Sequence, residues 1–185
     1  MKQVVLRDMV QSDIEDYVKW FSTRMEWQKF DAPWEPVSLC EEEERKSWTE
    51  YFDKTKDLNP DRTRCKFEIE WQGKHVGWVS CYNELSFVPY DDKTCAVGID
   101  LADDASRGKG VGTAALKMFI DYLHGKGNNL IYIETWSGNL AMMRVAEKLG
   151  FQEAHRQYGA RQVDGKAYDA ITLWLSLFEW QSVNK

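Results

Sequence analysis

A mixed α/β domain is the fold class this sequence predicts, and three features of the chain predict it. Apolar residues recur with a period of two in some stretches and at helical spacing in others. Two turn signals, Gln72-Gly73 and Asp164-Gly165, each stand between period-two runs, as hairpins require. At the centre a strand runs into a glycine-rich turn, then a helix, then another strand. With 185 residues, 43% hydrophobic and 29% charged, the chain is expected to form one domain, residues 1–185, with a sizeable core.

The elements follow in order. Val4 to Met9 reads as a short strand, and Ser12-Asp13 then caps a helix in which Ile14, Tyr17, Val18 and Phe21 share a face. The stretch "TRMEWQKFDAPWEPVS", with its aromatics and two prolines, reads as an ordered loop rather than a linker. Ser38 to Glu41 has capping-box spacing, and the acidic run Glu41 to Glu44 falls in a first helical turn where the dipole favours it. That run is helix chemistry, not a binding patch. "CKFEIEWQGKHVGWVSCY" alternates as a hairpin, and "TCAVGIDL", Thr94 to Leu101, is a further strand. Beyond the glycine-rich turn, Ala115, Leu116, Phe119, Ile120 and Leu123 mark a helical face that ends at Gly125 and Gly127. "LIYIETW" is a strand, and Leu140 to Leu149 is a helix with Met143, Ala146 and Leu149 inward, stopped by Gly150. A hairpin around Asp164-Gly165 closes the order.

Composition narrows the function. Lys plus Arg number 24 and Asp plus Glu 30, and the resulting charge of −6 argues against nucleic acid or an anionic membrane as partner. A cationic, amine-bearing partner suits it better. The opening apolar run is too short for a signal peptide and no later run approaches a membrane span, so a cytoplasmic location is expected. Cys40, Cys65, Cys81 and Cys95 lie far apart without a CxxC pair, which implies neither a metal nor a disulfide framework but reduced, mostly buried thiols. His75, on a turn, and His124 and His155 stand singly and read as structural.

The turn "SRGKGVGTAAL", Ser106 to Leu116, is where chemistry enters. A strand running into glycines and a helix presents free N–H groups at a helix N-terminus, an anion site suited to phosphate. A Walker loop fails because Thr113-Ala114 follows Gly112, and a dinucleotide fingerprint fails because Thr113 stands where its third glycine belongs. What remains is R-x-x-G-x-G, Arg107 to Gly112. Here the chain resembles the GNAT superfamily of N-acetyltransferases, whose acetyl-CoA loop reads Q/R-x-x-G-x-G/A between a strand and a helix. A second motif stands in register: "SGNLAMMRVAEKLGF", Ser137 to Phe151, is similar to the superfamily's N-x(10)-G-F helix, with Asn139, Gly150 and Phe151 matching. The resemblance covers most of the chain and is closest to the RimJ/RimL type of ribosomal-protein acetyltransferase.

The resemblance implies a mixed central sheet of about six to seven strands flanked by about four helices, and acetyl-CoA as co-substrate. It also implies that Arg107, Gly108, Lys109, Gly110, Val111, Gly112 and Thr113 hold the pyrophosphate, largely through backbone. Ile99, Asp100 and Leu101 would pair with the pantetheine arm where their strand splays from "IETW", and Asn139 would lie beside it. Capping its own helix is an equally open role for Asn139. The tyrosine that many members use as general acid, seven residues after the motif asparagine, is here Ala146, and the serine common in the RimJ/RimL type is Met142. No acid is therefore assigned.

For a base, Glu134 is placed similarly to the glutamate of some ribosomal-protein N-terminal acetyltransferases. Asp100 is the second candidate, because alternation with Gly98 aims it at the acceptor side. "EWQKFDAPWE" offers Trp27, Phe30 and Trp34 beside Glu26, Asp31 and Glu35, a composition that suits a cationic amine and serves equally to pack the loop on the core. The expected activity is direct transfer of acetyl to a primary amine in a ternary complex. A binding module that has lost catalysis and a nucleotide-binding protein are the rivals. Exposed strand edges leave room for a homodimer.

Overall fold

The computed structural model describes residues 4–35, 40–88, 94–176, 178 and 180. Seven strands form one sheet in the order β1-β2-β3-β4-β5-β7-β6: β1 Val4–Arg7, β2 Lys66–Trp71, β3 Lys74–Tyr82, β4 Thr94–Leu101, β5 Leu130–Trp136, β6 Gln152–Val163 and β7 Lys166–Ser176. Among the described residues four α-helices flank it: α1 Asp13–Ser22, α2 Glu41–Thr55, α3 Val111–Gly125 and α4 Leu140–Leu149. Among the described strands only β4 and β5 pair in parallel, and that pairing drives the site.

Both hairpins turn where the sequence placed them. Gln72 and Gly73 have φ of 57° and 73°, and Asp164 and Gly165 have 50° and 75°, the doubly positive pattern that matches the twist of paired strands. Gly77 answers a different demand: a Cβ there would stand 1.9 Å from the Asp100 carbonyl oxygen, so β3 approaches β4 this closely only without one.

Alternation divides the core in two. Cys95 and Val97 of β4, Ile131 and Ile133 of β5, and Val111, Leu116, Phe119 and Ile120 of α3 pack on one face with Ala146 and Leu149 of α4. On the other face Ile14, Tyr17, Val18 and Trp20 of α1 cluster with Trp27, Trp78 and Ala102. α2 has no fully buried residue and rests on this second cluster through Trp48, Tyr51 and Phe52.

Local differences from the sequence reading have physical causes. β1 stops at Arg7 rather than Met9 because the chain turns there, with Arg7 held by Asp13. Ser12 makes no side-chain cap, and the Asp13 carboxylate accepts the Val10 N–H at 2.8 Å instead. The capping-box residue Ser38 lies outside the described residues, and Cys40 stands at the N-cap of α2 without a side-chain bond. On α4 Met142 is buried and Met143 only partly so. His75 lies within β3, not on a turn.

The thiols are less buried than expected: only Cys95 is buried, Cys81 is intermediate, and Cys40 and Cys65 are exposed because they stand at element ends. Cys65 and Cys81 meet across the β2–β3 ladder, where the Cys81 N–H donates to the Cys65 carbonyl at 2.7 Å.

Candidate functional site

β4 and β5 pair only at Thr94 with Leu130, Cys95 with Ile131 and Ala96 with Tyr132. Beyond Ala96, β4 stays with β3 and β5 with β7, so the two strands part into a V. The free edge of Val97 to Leu101 lines this opening. Ile99 and Leu101 turn toward α3, and Asp100 turns to the face of its cross-strand partner Trp78.

Past Leu101 a 3-10 turn, Asp104–Ser106, is closed by the Asp103 carboxylate accepting the Ala105 N–H, and the glycine loop follows. Gly108 and Gly110 take φ of 68° and 81°, and a Cβ on either would meet nothing within 4 Å. The loop is an open cradle ahead of the first-turn N–H groups of α3, which have no intrahelical acceptors. Arg107 donates its Nε to the Leu101 carbonyl at 2.8 Å, pairs with Asp104 at 2.6 Å and lies 5.0 Å over the Phe30 ring. Its Nη2 is buried without a hydrogen-bond partner. Unmet cationic donor, open glycines and helix N-terminus together fit a pyrophosphate.

Loop and V open into one cleft of about 380 Å³. Of the residues assigned to the cofactor from sequence, Ile99, Asp100, Leu101, Arg107, Gly108, Gly110, Gly112, Thr113 and Asn139 line it. Lys109 and Val111 do not; Val111 is 2% exposed and belongs to the core under α3. The sequence reading missed Arg144 and Lys148, which also line the cleft. Their spacing of four on α4 was the available signal, since it puts both cations on one helical face.

Asn139 caps its own helix and also lines the cleft. Its Oδ1 caps α4 by accepting the Met142 N–H at 2.9 Å, and its Nδ2 donates to the Phe30 carbonyl at 2.7 Å. Trp136 Nε1 donates to the same carbonyl at 3.0 Å. The segment Met25–Lys29, a short 3-10 helix, and Phe30 behind it are thus fastened across the mouth of the V. Trp27 is buried and lines the cleft, Phe30 is half-exposed against Arg107, and Trp34 packs edge-on to Trp136.

The two carboxylates differ sharply. Glu134 on β5 accepts the Tyr82 hydroxyl at 3.0 Å and the Ser86 N–H at 3.0 Å, so its two oxygens clamp the end of β3 and the segment after it. Asp100 lines the cleft. Burial, reinforced by Asp31, pushes its carboxyl well above the usual carboxylate range against the opposing pull of Lys66 and Arg107. Met142 and Ala146, at the positions of the missing acids, are buried and carry no proton.

The chain matches the family described as acetyltransferase (GNAT) domain over residues 3–152. It belongs to the GNAT acetyltransferase family. Solved acetyltransferase structures share its fold. The structure of yncA from Salmonella typhimurium with its cofactor acetyl-CoA is 18% identical, covers 95% of this chain and 94% of that one, and has a TM-score of 0.70. A ribosomal-protein-alanine N-acetyltransferase from Brucella melitensis is 18% identical over 94% and 99% of the two chains, with a TM-score of 0.69. Mycobacterium smegmatis RimJ in complex with CoA-disulfide is 21% identical over 98% and 84%, with a TM-score of 0.72. At these identities the likeness establishes the shared GNAT fold. No curated protein sequence matches the chain.

A larger recess of about 720 Å³ lies elsewhere, lined by Arg7, Asp13, Asp16 and His75 among others. Asp13, Asp16 and His75 bring one ligand atom each within 4.8 Å, but Arg7 donates to both Asp13 oxygens, at 2.6 and 2.8 Å. His75 in turn meets Glu68 at 3.0 Å. These charges answer one another, whereas the smaller cleft holds the glycine loop and residues of both sequence motifs. No cysteine lines that cleft, so Cys95→Ala should leave kcat close to the wild-type value; loss of turnover would point to a covalent acetyl-enzyme.

Proposed function

We propose that this GNAT chain is an acetyl-CoA-dependent N-acetyltransferase that carries the acetyl group directly to a primary amine. The carrying observation is the single cleft that joins a phosphate-ready glycine loop at one end to the desolvated Asp100 carboxylate on the acceptor face. The co-substrate supplies an activated thioester. Arg107, the glycine-loop amides and the first turn of α3 hold its pyrophosphate, the open edge of Ile99 to Leu101 pairs with the pantetheine arm, and Asn139 keeps Phe30 closed over the V.

The acceptor's nitrogen must be neutral to attack. An amine of pKa about 10.4 is neutral in roughly one molecule of 2,500 at pH 7, whereas an α-amine near 7.8 is neutral in about one of seven. Asp100 takes the proton from the nitrogen as the C–N bond forms, and the C–S bond breaks to release CoA as a thiolate, whose low thiol pKa makes it a tolerable leaving group and which is then protonated by solvent. Its raised proton affinity suits a base working near neutrality. Glu134, the first candidate by resemblance, orients the segment after β3 in this reading, because both of its oxygens are already engaged. The acceptor belongs to the amines of the RimJ/RimL type, protein N-termini or small cationic amines, in keeping with Asp31 and Glu35 beside Phe30. The reading includes one cytoplasmic domain over residues 1–185, pairing as a homodimer, with neither nucleic acid nor membrane as partner; no helix among the described residues is long and apolar enough to cross a membrane. Buried Ala146 and Met142 favour a second reading, an acyl-CoA-binding module without turnover.

Thermal unfolding with acetyl-CoA, with ATP and with NAD tests the first step. Acetyl-CoA at 100 times Kd should add about 2.7 kcal/mol, a rise of about 5–11 °C for a chain of this size. An equal rise with ATP, or none, overturns the proposal. Release of CoA thiol on adding amines then separates enzyme from binding module.

A further inference from the structure

Lys66 opens β2 on the face that carries α1 and α2, and it has an unusual setting for a lysine. Its ammonium lies 4.2 Å from the ring centroids of both Tyr17 and Trp48, 5.0 Å from Tyr51 and 5.4 Å from Trp78. Four rings from α1, α2 and β3 thus enclose one cation. Glu68 stands 3.8 Å away, its other oxygen accepting the Tyr17 hydroxyl at 2.5 Å, and the Lys66 side chain is only 14% exposed. Burial lowers this amine to about 8, against the opposing pull of Glu68, Asp100 and Asp13.

The cage connects to the cleft through neighbouring residues. Trp78, one of its walls, is the direct cross-strand partner of Asp100, and Trp27, which packs edge-on against Trp78 at 5.2 Å, lines the cleft itself. A buried cation therefore stands one ring behind the carboxylate of the acceptor face. The charged groups that act on Asp100 are Lys66 from β2, Arg107 from the glycine loop and Asp31 from the segment after the 3-10 helix, and only Asp31 favours protonation. Arg107 is already committed to Asp104 and the Leu101 carbonyl and faces the phosphate end. Lys66, whose partner Glu68 stands 3.8 Å away, is the cation that opposes Asp31 from behind Trp78.

We propose that Lys66 is a positioning residue for acetyl transfer, a fixed cation behind Trp78 that holds Asp100 as a carboxylate when the acceptor's amine docks. This rests on the reading of Asp100 as the base. It assigns the aromatic cage a task beyond anchoring α2: the rings hold the ammonium in place, and with Glu68 no closer than 3.8 Å part of its field reaches β4.

Lys66→Met keeps the stem and the rings but removes the charge. In that variant the acidic limb of the kcat/KM profile should move to higher pH by on the order of one unit, with kcat above the limb near wild type. Lys66→Arg should return the limb. If K66M fails to fold, K66Q carries the same comparison. A merely structural Lys66 would lower the unfolding temperature and leave the limb in place, which would overturn the proposal. A carbon-13 NMR titration of the Asp100 carboxyl in both proteins reads the effect without turnover: an unchanged titration in folded K66M also overturns it. Should the wild-type limb persist in Asp100→Asn, the base assignment fails on its own, and the NMR titration still decides whether Lys66 governs Asp100.

Discussion

Gly110→Val is expected to abolish the acetyl-CoA-dependent rise in unfolding temperature while leaving the protein folded. Gly110 sits in the left-handed region at φ 81°, where a β-branched residue is strained by about 1–2 kcal/mol, a cost a chain of this size tolerates. The larger effect falls on the ligand. A valine side chain would stand in the space where nothing lies within 4 Å of the glycine, and that space is where a phosphate would approach the loop amides. Losing two charge-assisted hydrogen bonds at about 1.5–3 kcal/mol each weakens binding by about 10²-fold or more. At 100 times the wild-type Kd the ligand then adds about 0.4 kcal/mol in place of about 2.7. Gly165→Val is the matched control: its φ of 75° in the β6–β7 turn imposes similar backbone strain far from the cleft. Both variants should lose comparable stability in the absence of ligand, and only G165V should keep the acetyl-CoA response. If G110V keeps it too, the loop does not hold the pyrophosphate.

The loop could be found from sequence because its chemistry is local. Alternate glycines, a helix N-terminus and the preceding strand are all set by neighbouring residues, and Gln72-Gly73 and Asp164-Gly165 were legible for the same reason. β4, β5 and the buried face of α3 followed from periodicity, which burial enforces residue by residue. What stayed hidden depends on contacts between distant segments. Lys66 reads as an ordinary outward residue of an alternating strand until α1 and α2 bring three rings over it. His75 reads as a solitary histidine until Asp16 and Glu68 are folded against it. The separation of the two carboxylates was equally out of reach: no spacing rule shows that Tyr82 and the Ser86 amide, 52 and 48 residues away, would occupy Glu134. The Phe30 carbonyl, shared by Trp136 and Asn139, is a backbone group and leaves no trace in side-chain patterns.

That separation makes the second prediction a comparison. Asp100→Asn should lower kcat/KM by about 10²–10⁴-fold, the usual contribution of a positioned general base, with acetyl-CoA affinity unchanged. The substitution is nearly isosteric and lies on the face away from α3, so the glycine loop and the pantetheine edge keep their packing. Because burial and Asp31 raise the Asp100 carboxyl, the wild-type profile should fall on the acid side at a pH above the ordinary carboxylate range, as the base takes up its proton. In D100N that limb should vanish. Glu134→Gln keeps an acceptor for the Tyr82 hydroxyl through its amide oxygen, but its NH₂ then faces the Ser86 N–H, so one of the two clamps is lost. Its loss should be smaller, and the acidic limb should remain. The acceptor's pKa sharpens the contrast: an α-amine needs little help to shed its proton at pH 7, a lysine-like amine needs much, so the D100N deficit should grow with the basicity of the amine supplied. A deficit in E134Q that exceeds that of D100N, with loss of the limb, would return the base to β5 and leave Asp100 as the group that draws the cationic acceptor into the cleft.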